Sequence, residues 1–270
     1  MADRRAMIFD IQRSSFVDGP GSRTAVFFKG CNLRCAWCHN PEGQSPLSEE
    51  LFYAEKCRGC GLCRNAWESV CPNGARLPCG REYSVEELLV ECVRDKLFFD
   101  ASGGGVTFSG GECMLQMDFL CELLMRCKEQ GLHTAVDTAG HVPYESFERN
   151  LPYTDLLLYD LKCMDPQRHE AYTGVDNSMI LGNLERLLKK GCSVWVRIPL
   201  IPSVNGTEEE MAAMRAFFER CGAPGRIELL PYHDMGGSKY RALGKEAKTF
   251  SVPSPTDVKR LRSYLPDDGE

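Results

Sequence analysis

Short β-branched or apolar runs recur along the chain at residues 23–28, 106–108, 132–137, 155–161, 193–199 and 226–230. Each is short enough and branched enough to read as a strand covered on both faces. Between them lie segments with apolar residues at helical spacing, bounded by start and stop signals. Ser84 with Glu87 and Thr207 with Glu210 have the spacing of capping boxes, and Gly131 and Gly191 follow helical stretches where a C′ glycine stands. Strands alternating with helices need crossover connections, so the six strands are expected to run parallel. Periodicity leaves two architectures open, a partial barrel and a doubly wound sheet. One segment, from residue 41 to about residue 81, breaks the pattern: it is rich in Cys, Gly and Pro and has no sustained period. It reads as an insert on the loop after the first strand, dividing the chain into a core of residues 1–45 and 82–270 and an insert of residues 46–81.

At 270 residues there is room for one α/β barrel of about 200–250 residues and such an insert. The 32 Lys and Arg against 38 Asp and Glu leave a formal charge of −6, which argues against nucleic acid or an anionic membrane as the main partner. The opening residues MADRRAMIFDIQ lack the apolar stretch of about 7–15 residues of a secretory signal, and no run approaches the ~18 apolar residues of a membrane span. A cytoplasmic protein is expected. Thiols stay reduced there, so 15 cysteines point to metal or redox chemistry where they cluster.

They cluster twice. Directly after the first strand, Gly30-Cys31-Asn32-Leu33-Arg34-Cys35-Ala36-Trp37-Cys38-His39-Asn40 spells C-x3-C-x2-C. A zinc site presents four protein ligands, and no fourth Cys completes this loop. Three thiolates leave one iron of a four-iron cluster open to a substrate, whereas electron carriers close all four corners. The spacing therefore predicts chemistry at the cluster. In the insert, Cys57-x2-Cys60-x2-Cys63 followed by Cys71-Pro72 and then Cys79 has the ferredoxin pattern. It reads as one auxiliary 4Fe-4S cluster with Cys71 or Cys79 as fourth ligand, Cys71 preferred; zinc is the rival. Cys92, Cys121, Cys127, Cys163, Cys192 and Cys221 fall on helix or strand positions, where cysteine packs as a small apolar residue. No G-x4-G-K-[ST] phosphate loop and no convincing Ser/His/Asp or paired-carboxylate constellation is present.

The first cysteine loop, placed after the first strand of an α/β barrel, resembles the signature of the radical S-adenosylmethionine superfamily. With it, Asp18-Gly19-Pro20-Gly21-Ser22-Arg23, Cys38-His39-Asn40-Pro41-Glu42, Gly103-Gly104-Gly105-Val106-Thr107-Phe108-Ser109-Gly110-Gly111-Glu112, Asp160-Leu161-Lys162 and Leu230-Pro231-Tyr232-His233 resemble the glycyl-radical-enzyme activating enzymes. The resemblance implies an α/β fold, a partial (β/α)6 TIM-like barrel with a small Cys-rich ferredoxin-like insert. It implies that Cys31, Cys35 and Cys38 hold a 4Fe-4S cluster whose open iron binds S-adenosyl-L-methionine. Reductive cleavage there would yield a 5′-deoxyadenosyl radical, which abstracts a hydrogen from a glycine of a partner glycyl radical enzyme. By the same resemblance Gly110, Gly111 and Glu112 clamp the methionine end, with Glu112 accepting from its ammonium group. Asp160, Leu161, Lys162, Arg197 and His233 are further contacts, and Trp37 and His39 flank the adenine side. Asp137, Thr138 and Asp160 would hold a monovalent cation, Na+ or K+. Flavodoxin or ferredoxin is the implied electron donor, and the implied state is a monomer that docks transiently. Relatives with the fuller insert carry two consecutive C-x2-C-x2-C-x3-C-P motifs; this chain has one, with a gap of x7 before Cys71-Pro72. Two readings stay open beside this one: the same chemistry on a small molecule, and a non-catalytic electron-transfer or zinc protein.

Overall fold

The chain opens on a strand that the apolar runs do not mark. In the computed structural model, which describes residues 4–64 and 71–268, β1 (Arg5–Ser15) pairs antiparallel with β2 (Arg23–Phe28), Ile8 opposite Phe28 and Ser15 opposite Arg23. Only Ala6 and Ile8 of β1 are fully buried, so its apolar signal is diluted by Arg13, Asp10 and Gln12. Every residue of β2 is buried. The expected insert carries its own small sheet, β3 (Glu49–Phe52) against β4 (Arg76–Cys79); residues 65–70 of that insert lie outside the described residues. β5 (Arg81–Ser84) then returns to the free edge of β1.

β6 (Gly105–Gly110) crosses back to lie beside β2, and from it each strand lies beside its predecessor: β7 (Thr134–Thr138), β8 (Leu156–Asp160), β9 (Val194–Leu200) and β10 (Arg226–Pro231). The sheet order is β10-β9-β8-β7-β6-β2-β1-β5, with β2 and β6 to β10 all parallel. A doubly wound sheet reverses its strand order at a switch point. This one advances in a single direction, the order of a partial barrel. All six sequence-predicted strands are present, the first with the expected bounds and the others with ends shifted by at most two residues.

The crossover helices are α1 (Val85–Val93), α2 (Lys96–Ser102), α3 (Met117–Glu129), α4 (Tyr144–Asn150), α5 (Pro166–Thr173), α6 (Ser178–Lys189) and α7 (Glu208–Cys221), and α8 (Gly237–Ala242) and α9 (Pro255–Arg262) follow the last strand. Ser84 and Glu87 form the expected capping box: Glu87 N–H donates to Ser84 Oγ at 3.2 Å, and Ser84 N–H to the Glu87 carboxylate at 2.8 Å. The second expected box is only half formed. Glu210 N–H donates to Thr207 Oγ1 at 3.3 Å, but the Glu210 carboxylate accepts instead from the N–H groups of Met164 and Asp165, just past β8. The core lies between sheet and helices, where Phe28 and Phe108 meet Phe119, Leu120 and Leu124. Cys92, Cys127 and Cys221 pack there as small apolar side chains. No helix among the described residues is long and apolar enough to cross a membrane.

Candidate active site

At the C-terminal end of β2 the chain turns into the first cysteine loop. Its base is closed by Gly30 N–H to Gly43 O at 2.8 Å and Cys31 N–H to Gln44 O at 3.2 Å; its far side hangs on the end of α5, through Arg34 N–H to Thr173 O at 2.7 Å and Ala36 N–H to Tyr172 O at 2.8 Å. Burial pushes each of the Cys31, Cys35 and Cys38 thiols up to about 11. Three thiolates at this place therefore need compensating positive charge. The Lys162 ammonium acts on all three in that sense, and an iron cluster would supply the remainder. Among the described residues no three Cys, His, Asp or Glu converge as ligands of a single ion; a four-iron cube takes its thiolates at separate corners. The donor set fits the cube.

The three cysteines open onto a cavity of about 520 Å³, within the usual range for a small-molecule site. Gly110, Gly111, Asp137, Thr138, Asp160, Lys162 and His233, at or just past the C-terminal ends of β6, β7, β8 and β10, line it together with Arg197 from the middle of β9 and with Trp37 and His39. That end is where parallel α/β folds gather their ligand groups. Trp37 packs against Tyr172 and Phe250, ring centroids 6.3 and 6.2 Å away. His39 stacks on His233 at 3.9 Å and its Nε2–H donates to the His233 carbonyl at 3.1 Å. Burial and the neighbouring His233 hold His39 below the usual imidazole range, so it is neutral at pH 7. His233 Nδ1 is buried without a hydrogen-bond partner.

Two largely buried cation–carboxylate pairs line the cavity. Lys162 Nζ donates to Asp160 Oδ2 at 2.7 Å. Arg197 Nη1 lies 3.3 Å from Asp137 Oδ2, which also accepts from Ser109 Oγ at 2.7 Å. Burial pushes the Asp137 carboxyl up to about 6; Arg197 opposes this and Asp160 adds to it. Burial works against the charge on Lys162, but Asp160 and then the Cys35 thiol more than offset it, so the amine stays cationic. Arg197 keeps its Nε and Nη1 donors without a hydrogen bond.

Two sequence expectations need correction. Glu112 does not line the cavity. It is fully buried, and its carboxylate is committed to Thr138 Oγ1–H at 2.8 Å, Ala139 N–H at 3.0 Å and Met114 N–H at 3.3 Å. It holds the end of β7 in place. Leu161 is likewise buried core, not a cavity contact. Gly110 and Gly111 do reach the cavity, but the need for glycine comes from behind: a Cβ on Gly110 would lie 2.3 Å from the Phe28 backbone, and one on Gly111 2.2 Å from Gly30 O. Sequence reasoning gave no role to Ser109 or to Val17, which also line the cavity. Ser109 was visible only as the first residue of the Ser-Gly-Gly-Glu run, and Val17 carried no signal.

Burial pushes the Glu112 carboxyl up to about 7, despite the hydrogen bonds from Thr138, Met114 and Ala139. The folded protein then binds this proton more tightly than the unfolded chain does. The resulting stability is fully present below the ordinary value of 4.5 and is lost as pH rises through about 7. Glu112→Gln keeps an acceptor for Thr138 and Ala139, and is expected to flatten the decline by about 2–3 kcal/mol. Urea unfolding of the apoprotein from about pH 5 to about pH 8 reads it; a slope equal to wild type refutes it.

In the insert, Cys57, Cys60, Cys63 and Cys71 line one small hollow of about 40 Å³. Cys79 does not line it. It is buried on β4, its thiol is pushed up to about 11 by burial, and its carbonyl accepts from Lys29 Nζ at 3.2 Å. The turn after Cys71 aims the N–H groups of Asn73 and Ala75 at that sulfur and lowers its pKa.

Residues 25–215 match the radical SAM superfamily. The trans-4-hydroxy-L-proline dehydratase activating enzyme of Clostridioides difficile is 38% identical over 94% of this chain and 93% of its own. The choline trimethylamine-lyase activating enzyme of Oleidesulfovibrio alaskensis is 38% identical over 98% and 96%. Among solved structures, a domain of a pyruvate-formate lyase-activating enzyme from Bacteroides vulgatus superposes with a TM-score of 0.53 at 35% identity, covering 60% of this chain and 93% of that one.

Proposed function

Because the chain belongs to the radical S-adenosylmethionine superfamily, and within it to the activating enzymes of glycyl radical enzymes, we propose that the cavity at the strand ends is where its reaction occurs. Cys31, Cys35 and Cys38 would hold the 4Fe-4S cluster. When bound, that cluster supplies the electron that splits S-adenosylmethionine, and the adenosyl radical formed takes a hydrogen from a glycine of the partner enzyme. Glycine suits that role because, lacking Cβ, it flattens readily. Lys162 offsets the negative charge of the three thiolates. The stacked His39 and His233 rings offer a flat face and the unpartnered His233 Nδ1 to an adenine, and the unpartnered Arg197 Nε offers a hydrogen bond to a carboxylate or ribose. The observation that carries the reading is that three thiols, with Lys162 as their cation, open onto one cavity of about 520 Å³. Phe16 and Val17, exposed by 73% and 76%, offer apolar surface to a protein partner, and Val17 reaches the cavity itself.

Cys57, Cys60, Cys63 and Cys71 bind an auxiliary 4Fe-4S cluster, supported by their shared hollow. Cys71→Ser is then expected to lower bound iron from about eight to about four per chain, and Cys79→Ser to leave it unchanged; loss on the second substitution instead would reassign the ligand. Flavodoxin or ferredoxin delivers the electron. A second hollow of about 420 Å³, reaching Trp37, Cys38 and His39 and bordered by Arg241, Lys245 and Lys248, suits an acidic carrier. Na+ or K+ would use the free carboxylate oxygens of Asp137 and Asp160 beside Thr138, in competition with Arg197 and Lys162. The enzyme works as a cytoplasmic monomer that docks transiently.

The test is to reconstitute the protein anaerobically, add reductant and S-adenosylmethionine, and measure 5′-deoxyadenosine. Glycyl radical dehydratases and lyases are then added in turn, with electron paramagnetic resonance recorded. A persistent doublet on one partner supports activation. Zinc in place of iron, or no 5′-deoxyadenosine, removes the reading; 5′-deoxyadenosine with no doublet on any partner favours a small-molecule substrate.

A further inference from the structure

Two walls of the cavity are joined by a side chain that does not face it. β8 and β9 pair in parallel register up to Asp160 and Arg197, and Leu161 N–H donates to Arg197 O at 2.9 Å. Two residues further on, Pro199 has no N–H with which to extend the ladder. Asn205 spans the gap. Its Nδ2 donates to Lys162 O and to Pro199 O, both at 2.7 Å, and its Oδ1 accepts from Ile201 N–H at 2.8 Å. Both donors of the amide and its acceptor are therefore in use, in a residue with 0% exposure. The turn that carries it wraps one carbonyl: the N–H groups of Val204, Asn205 and Gly206 reach Ile201 O at 2.9, 3.0 and 3.2 Å.

This amide ties the backbone of Lys162 to that of Pro199 and Ile201, and all three residues line the cavity. We propose that Asn205 is a positioning residue that sets the separation of these two walls, and through it the affinity for S-adenosylmethionine. The assignment rests on reading the cavity as the S-adenosylmethionine site. Aspartate at this position would set oxygens against two carbonyl oxygens, and serine would reach at most one of them.

Reconstituted wild type, Asn205→Asp, Asn205→Ser and Leu261→Ala are to be compared, the last a buried core position on α9. For each, bound iron, the resonance signal of the reduced cluster, the dissociation constant from titrating the S-adenosylmethionine-induced change in that signal, and the urea midpoint are measured. Both Asn205 variants are expected to keep iron and the cluster signal but to bind S-adenosylmethionine on the order of tenfold more weakly or worse. Leu261→Ala is expected to lower the midpoint with affinity within about twofold of wild type. Should Asn205→Asp fail to fold, Asn205→Ser decides. An Asn205→Ser affinity within about twofold of wild type overturns the assignment, as does an equal loss in Leu261→Ala. Wild type that gives no S-adenosylmethionine-induced change overturns the reading of the cavity itself.

Discussion

Cys35→Ala is expected to abolish S-adenosylmethionine cleavage, with 5′-deoxyadenosine falling by more than about 100-fold, to background. Cys35 is the middle thiol of the first loop, and Ala36 beside it is pinned to Tyr172 O at 2.8 Å. The loop backbone is thus held from outside and has little freedom to bring another ligand forward. The spare cysteines are no substitute, since Cys113, Cys127 and Cys163 are buried elsewhere in the core. Cys60→Ala removes a thiol from the exposed insert and is expected to leave measurable cleavage, because a different cysteine set bears on the cavity. Chromatographic quantitation of 5′-deoxyadenosine under reducing conditions compares the two. Equal, complete loss in both, with first-cluster spectra intact in Cys60→Ala, would contradict this division of labour.

Lys162→Met is expected to reduce cleavage by about 100-fold while leaving the three cysteines in place. Lys162 is the buried cation that acts on all three thiols. Removing it leaves the added electron less stabilised, so the cluster's reduction potential should move to more negative values. It also strands Asp160, whose Oδ2 loses its 2.7 Å donor. Breaking a buried ion pair from one side costs about 3–5 kcal/mol; Asp160 keeps 24% side-chain exposure, so water softens this to about 2–3 kcal/mol. Lys162→Arg is not expected to restore activity, because a planar fork does not fit the place of a compact ammonium. Cleavage within tenfold of wild type, at unchanged potential, would remove Lys162 from its assigned role.

The comparison of these residues with Glu112, Leu161 and Asn205 separates what could be read from the chain. That Cys31, Cys35 and Cys38 share one loop at a strand end, and the six parallel strands, were legible because their signals are local: close spacing along the chain, and apolar runs of strand length between helix caps. Asp160-Leu161-Lys162 was legible as a strand end, yet alternation along a strand sends neighbouring side chains to opposite faces, so Lys162 and Asp160 reach the cavity while Leu161 enters the core. Glu112 was placed near the site but misjudged, since the partners of its carboxylate, Thr138 and Ala139, stand 26 and 27 residues away.

By itself, then, the sequence determined which residue types stand at which strand ends, and with them the chemistry available. Tertiary structure alone decided the hydrogen-bond partners of buried polar groups: Glu112 to the end of β7, Glu210 to the turn after β8 rather than its own capping box, Asn205 to both Lys162 and Pro199. The reason is physical. A buried donor or acceptor left without a partner is costly, so each must find one nearby, and what is nearby depends on which strands lie adjacent in the sheet rather than on distance along the chain.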